Sequence, residues 1–325
     1  MDGHILACLP QRLKDVFRKC SPVDLQGLEE IRIRVQRPVE VLIGSRSCFI
    51  TPDGECTPDW RKGIVTTIED GQKMLNQISR HSLYALEEEL RRGYITIRGG
   101  HRVGITGRAV VEGGKVKLLK DIQSFNLRMA RELKGVAAPV LPRLLESGRF
   151  GNTLIISPPG CGKTTLLRDI ARCLSYGMRD FSLKGLKIGI VDERSEIASC
   201  MDGIPQNDLG PRADVLDACP KAEGMMMLIR SMSPDVIVCD EIGSLDDAQA
   251  VLEAMHAGVA ILVSAHGHSL ADVRERPSLR MLFEETVFER IMILSKRKGV
   301  GTVEGVFDGA GRRLADPAGK GIRHA

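Results

Sequence analysis

Ser157-Pro158-Pro159-Gly160-Cys161-Gly162-Lys163-Thr164-Thr165 constrains this chain more than any other stretch. It follows the apolar run Thr153-Leu154-Ile155-Ile156 and precedes the helical pattern Leu166-Leu167-Arg168-Asp169-Ile170-Ala171. A strand, a tight glycine loop, Gly-Lys-Thr and a helix make a phosphate-binding loop, which belongs to the α/β class. Small residues let backbone N–H groups turn toward an anionic phosphate, and the helix N-terminus adds its positive end. Lys163 would reach the β- and γ-phosphates of ATP, and the Thr164 hydroxyl would ligate the accompanying Mg2+. The usual pattern has glycine where this chain has Ser157.

A second segment fits the same chemistry. Ser233-Pro234-Asp235-Val236-Ile237-Val238-Cys239-Asp240-Glu241 is a short apolar run ending in two carboxylates. Such a run reads as a buried strand of a parallel sheet, and its carboxyl end is where open α/β sheets bind ligands. There Asp240 would hold magnesium and Glu241 would orient or deprotonate the attacking water. Ser264-Ala265-His266-Gly267-His268 follows another apolar run, so a hydroxyl or the His266 imidazole would emerge at the same edge to sense the γ-phosphate. Zinc binding by the two histidines lacks a third ligand pattern. Val191-Asp192-Glu193-Arg194-Ser195-Glu196 ends a further strand; its acids would place water or magnesium, or cap the next helix.

The 325 residues suit two domains. Residues 1–140 read as an N-terminal α+β domain, with a helix over Leu6 to Phe17, a hairpin of Ile31–Val35 with Val39–Ile43, and helical pattern from Asp70 to Leu90. Strands follow at Tyr94–Arg98, Val103–Val111 and Lys115–Leu119. Gly135–Pro139 reads as the boundary. Residues 141–308 form the nucleotide domain, with strands near 153–157, 187–192, 235–239, 259–264 and 290–294 and helices at 163–176, 246–257 and 270–275. That alternation predicts a mainly parallel sheet flanked by helices. Residues 309–325 are expected to be a disordered tail.

Composition excludes several classes. Aromatics at 4% with Trp60 as the single tryptophan argue against a stacking platform for single-stranded nucleic acid. The nine cysteines lack paired spacing, which points to a reducing cytoplasm rather than a disulfide framework. No apolar run is long enough to span a bilayer, so membrane association would be peripheral, through partners. From Arg91 to Arg149, 13 Lys and Arg face 4 Asp and Glu. That window would suit nucleic acid, acidic lipid or phosphates across a subunit interface, or be a solvated face.

Ser157–Thr165, Asp192–Glu196, Pro234 to Gly243 and Ser264–Gly267 resemble, in order and spacing, the four boxes of secretion-type hexameric ATPases. Met255-His256-Ala257-Gly258 resembles their helix end, and Ile31–Arg34 with Pro38-Val39 their first domain. Phe125-Asn126-Leu127-Arg128 and the chain length are most similar to the sporulation stage III branch of that group. The resemblance covers roughly residues 25–308. It implies a RecA-like P-loop NTPase domain and a homo-oligomeric ring, a hexamer, that hydrolyses ATP. It also implies docking on a membrane-embedded channel complex on the mother-cell side. An interface arginine would complete a neighbour's site; Arg98, Arg102, Arg108 and Arg128 are the candidates. Two boxes depart from the pattern. Asp240 replaces the usual glycine, and Asp192-Glu193 reverses the usual Glu-Asp, with no proline following. A nucleic-acid-dependent ATPase and a non-hydrolysing nucleotide switch or scaffold are the alternatives, although no dedicated nucleic-acid domain is visible.

Overall fold

The computed structural model describes residues 2–315 apart from 24, 45, 80–92, 131, 147, 179–180 and 182. The helical pattern expected beyond Ser79 falls outside the described residues. The chain divides into two compact units, Met1–Arg131 and Glu132–Ala325.

The first unit carries α1 (Gly3–Cys8), α2 (Gln11–Lys19), β1 (Leu28–Arg34), β2 (Glu40–Ile43), β3 (Arg46–Ile50), β4 (Cys56–Thr57), α3 (Ile68–Ile78), β5 (Tyr94–Ile97), β6 (His101–Glu112) and β7 (Lys115–Arg128). The helix expected over residues 6–17 is two helices, because Pro10 cannot continue α1 and forces Leu9 into an extended conformation. The strands form one antiparallel sheet in the order β4-β3-β2-β1-β7-β6-β5. Alternation sorts its faces. Ile31, Ile33, Val41, Val103, Phe125 and Leu127 are buried in one core with residues of the three helices. Arg32, Arg34, Arg102 and Arg128 line a cleft of about 500 Å³. One packed face and one solvated face is the usual economy of an antiparallel sheet.

The second unit carries α4 (Leu141–Leu144), β8 (Leu145–Glu146), β9 (Arg149–Phe150), β10 (Thr153–Ser157), α5 (Lys163–Tyr176), β11 (Ile188–Asp192), β12 (Ala213–Asp217), α6 (Lys221–Met232), β13 (Val236–Cys239), α7 (Leu245–His256), β14 (Ala260–His266), α8 (Leu270–Arg274), α9 (Arg280–Glu284), β15 (Arg290–Ser295) and β16 (Thr302–Asp308). Its main sheet runs β12-β11-β13-β14-β10-β15-β16, parallel except for the antiparallel β15–β16 edge. Strands β10, β11 and β13 are buried at every position, as strands covered on both faces must be. Ile155, Val238 and Leu262 join Leu167, Ile170 and Leu174 of α5 in one core. Leu154, Ile156, Ile237 and Ile261 join residues of α6 and α7 in the other. Helix α7 starts at a capping box in which Ser244 and Asp247 satisfy each other's backbone N–H groups.

The division between units falls at Arg131/Glu132 rather than at 140/141. Ala137, Val140 and Leu141 are buried in the core that α5 covers, and the Ala137 N–H donates to Asp169 of α5 at 2.7 Å. Residues 309–315 begin the stretch expected as a disordered tail, yet they turn back on β16. The Asp308 N–H donates to the Arg312 carbonyl at 2.9 Å, and the Leu314 N–H to Val306 at 2.8 Å. Residues 316–325 lie outside the described residues.

Candidate functional site

Parallel strands deliver their carboxyl ends to one edge, and the second unit gathers its polar residues there. Ser157 ends β10 directly beside His266 at the end of β14, and the Gly267 N–H donates to the Ser157 carbonyl at 3.1 Å. Ser157 is fully buried in extended strand conformation, so the departure from glycine requires no special backbone geometry. The turn then runs Pro158, Pro159, Gly160, Cys161 and Gly162. Gly160 and Gly162 take φ values of 66° and 85°, where only glycine is at ease. Cys161 is buried beneath the loop.

Helix α5 starts at Lys163, so Lys163, Thr164 and Thr165 form its first turn and point unsatisfied N–H groups into the loop. The Lys163 ammonium makes no hydrogen bond or ion pair among the described residues. The Thr164 hydroxyl donates to the Asp240 carboxylate at 2.6 Å. The other Asp240 oxygen accepts from the Ser264 hydroxyl, and Ser264 in turn accepts the Glu241 N–H at 2.9 Å. Loop, second acidic pair and β14 are thus one hydrogen-bonded set: Thr164, Asp240, Ser264, Glu241.

Glu241 holds a left-handed φ of 57°, a strained value for a residue with a side chain. Its carboxylate pairs with Arg194 at 2.7 Å. The other acids of that box serve their own loop. Asp192 is 2% exposed and accepts the N–H groups of Glu196 and Ala198, each at 2.8 Å. Burial pushes its carboxyl pKa up. Glu193 pairs with Lys221 of α6. Arg168 of α5 donates to the carbonyls of Glu196 and Ile197 at 2.5 and 2.6 Å, stitching the same turn to the phosphate-loop helix.

The residues present fit a magnesium nucleotide. A hydroxyl and a carboxylate sit together at a helix N-terminus, which is the hard oxygen donor set that Mg2+ takes alongside phosphate oxygens. His266 stands at the same edge, half-buried. Sequence reasoning missed how Ser264 bridges Asp240 to Glu241, how Arg194 holds Glu241, and the proximity of Lys296, of the turn after β15, to Gly160.

The arginines expected to act across an interface lie in the first unit. Arg102 and Arg128 line the cleft described above, with Arg102 over the Tyr94 ring at 5.0 Å. Arg128 pairs with Glu30 at 3.2 Å and Arg108 with Asp121 at 2.9 Å. Further bases of the window are paired too: Lys117 with Glu112 at 2.6 Å, Lys134 with Asp208 at 2.7 Å and Arg149 with Glu289 at 2.5 Å. Among the described residues, no helix is long and apolar enough to cross a membrane.

Comparison with solved structures places the fold. The chain is similar to the Legionella pneumophila ATPase DotB, with a TM-score of 0.52 and 16% identity over 82% of this chain and 72% of that one. It is similar also to the pilus retraction motor PilT with bound ADP, with a TM-score of 0.54 and 15% identity over 83% and 75%. At these identities the likeness shows a shared fold, the RecA-like α/β architecture. Among curated proteins, the stage III sporulation protein AA of Bacillus subtilis (strain 168) is 49% identical over 317 residues, 98% of each chain. A family model described as "Sporulation stage III, protein AA" matches residues 2–314. With the match spanning both units and the whole carboxyl edge of the parallel sheet, this chain belongs to the sporulation stage III protein AA family.

Proposed function

We propose that this protein is an ATP-hydrolysing subunit of a secretion-type ring motor, a homo-hexamer that acts on a membrane-associated channel complex during sporulation. The observation that carries the reading is the hydrogen-bonded set that joins Thr164 of the phosphate loop to Asp240, Ser264 and Glu241. In it, Ser157–Thr165 cradle the phosphates and Lys163 supplies the mobile cation. Thr164 and Asp240 would hold Mg2+, which neutralises developing phosphate charge when bound. Glu241 orients the attacking water and takes up its proton; the Ser264 hydroxyl fixes its backbone, and Arg194 fixes its carboxylate. His266, beside Ser157, is placed to respond to the γ-phosphate and pass that state to β14. Asp192, Glu193 and Glu196 act as scaffold for the turn that carries Arg194. ATP with Mg2+ is therefore the substrate of this reading, and the similarity of fold to DotB and PilT supports a motor role. The protein would work at the cytoplasmic face, peripheral to the membrane through its partners.

The test separates binding from turnover. Lys163→Ala abolishes ATP binding, whereas Glu241→Gln binds ATP and turns over at least about a hundredfold more slowly. Both are read by equilibrium titration and phosphate release on the same preparations. Unchanged turnover in Glu241→Gln removes the glutamate from the chemistry. Tight ATP binding with no turnover in the wild type at any protein concentration replaces the motor with a nucleotide switch. A nucleic-acid-dependent ATPase would instead show turnover that single-stranded DNA stimulates in a salt-dependent way, and a flat response eliminates that alternative.

A further inference from the structure

Strands β15 and β16 form a hairpin whose turn, residues 296–301, lies against the phosphate loop. The Gly301 N–H donates to the Cys161 carbonyl at 3.0 Å. A β-carbon placed on Gly162 would stand 3.2 Å from Val300 Cγ1. A β-carbon placed on Gly160 would stand 3.0 Å from Lys296 Nζ and 3.5 Å from its Cε. The hairpin thus brings a second ammonium group to the backbone that would wrap the phosphates.

The turn is held firmly enough to present that group. Glu304 of β16 accepts from the Ser295 hydroxyl at 2.5 Å and from both ends of the Arg297 guanidinium at 3.0 and 2.9 Å. The Arg297 and Ser295 hydrogen bonds pull the Glu304 carboxyl down to about 2. The Lys298 N–H donates to the Thr302 hydroxyl at 3.2 Å. Arg297 is therefore committed to its own hairpin, while the Lys296 side chain is exposed and has no hydrogen bond or ion pair among the described residues. Nothing in the fold demands a lysine there. A flexible ammonium beside a loop of inward N–H groups is the arrangement that recruits a polyanion.

We propose that Lys296 is a second phosphate-binding cation of this site, supplied by the β15–β16 turn of the same chain and acting beside Lys163 on the phosphates of a nucleoside di- or triphosphate. This rests on the reading of the site as a nucleotide site. Because the contact is electrostatic and directed at phosphate, its weight grows with the number of phosphates and leaves the nucleoside untouched. Gly301 of the hairpin is hydrogen-bonded to Cys161 of the loop, so a nucleotide gripped by Lys296 would bear on β16 as well as on the loop.

The experiment is a titration of the full-length protein with fluorescent ATP in the presence of Mg2+, with ADP and AMP as competitors. Lys296→Ala weakens ATP binding about tenfold, the size of one lost charge-assisted contact, and AMP binding by less than about twofold. Lys296→Arg restores ATP binding to within about threefold, and Lys298→Ala, an exposed lysine two residues along the same turn, leaves it unchanged. The proposal is overturned if Lys296→Ala binds ATP as the wild type does. It is equally overturned if ATP and AMP weaken alike, or if Lys298→Ala loses as much. Wild-type protein that binds no ATP would instead remove the nucleotide reading itself. ATP binding that Lys163→Ala destroys and Lys296→Ala spares would remove only the role of Lys296.

Discussion

Ser264 is fully buried on β14, and its one hydroxyl serves both Asp240 and Glu241, the two acids of the proposed chemistry. It donates to Asp240 and accepts the N–H of Glu241, whose left-handed φ of 57° requires such an anchor. Ser264→Ala leaves that N–H without its acceptor, at a cost of about 1–3 kcal/mol by urea denaturation. Turnover falls about tenfold or more while ATP affinity stays within a few-fold, because the phosphate loop and Lys163 are untouched. A variant that loses stability but hydrolyses ATP at the wild-type rate would show that Ser264 serves the fold alone. The acidic pair itself was legible in the sequence, as two carboxylates closing an apolar run. Their partners were not: Arg194 and Glu241 are 47 positions apart, and only the sheet order brings the β11 turn beside the β13 turn.

Legibility at the level of elements followed burial. Strands β10, β11 and β13 are covered on both faces, so they read as unbroken apolar runs and were placed to within a residue or so. Strands β12 and β16 are the two edges of the same sheet, and their mixed, partly exposed sequences resemble loop. Missing β16 hid the hairpin and, with it, the approach of Lys296 to the phosphate loop. Helix α6 was missed because Gly224 interrupts its first turns. That glycine is explained by packing: a β-carbon there would stand 2.5 Å from Val191 Cγ1 and 3.1 Å from Cys219 Sγ. Two effects oppose each other in Gly224→Ala. Helix propensity gains about 1 kcal/mol, and overpacking a buried contact costs about 1–3 kcal/mol. Val191 is a buried, β-branched strand residue with little room to give, so the cost prevails. The variant is expected to be about 1 kcal/mol less stable than the wild type, measured by chemical denaturation. A more stable variant would show that α6 can back away from β11 freely. It would then also loosen Lys221, which begins α6, from Glu193.

At the scale of the whole molecule, the proposed function gives the two units separate tasks that experiment can distinguish. Every residue proposed to contact phosphate, from Ser157 to Lys296, belongs to the second unit, and both of its cores are built from that unit's residues. The stretch that was expected to link the units, Gly135–Pro139, is instead tied to α5 through Asp169, so the second unit is complete only from about residue 132 onward. A fragment of residues 132–325 should therefore fold and bind ATP within about threefold of the full chain, since no phosphate contact is removed. A fragment starting at 141 would lack Ala137 and Val140 from its core and should be measurably less stable. Turnover should separate the two halves of the proposal. The candidate interface arginines, Arg98, Arg102, Arg108 and Arg128, all lie in the first unit, so turnover per protomer of the full chain rises with concentration as the ring assembles. That of the 132–325 fragment stays at its basal value. A fragment whose specific activity climbs with concentration as steeply as the full chain's would mean that the residue completing a neighbour's site lies in the second unit. A folded fragment that fails to bind ATP would mean that the first unit contributes directly to the nucleotide pocket.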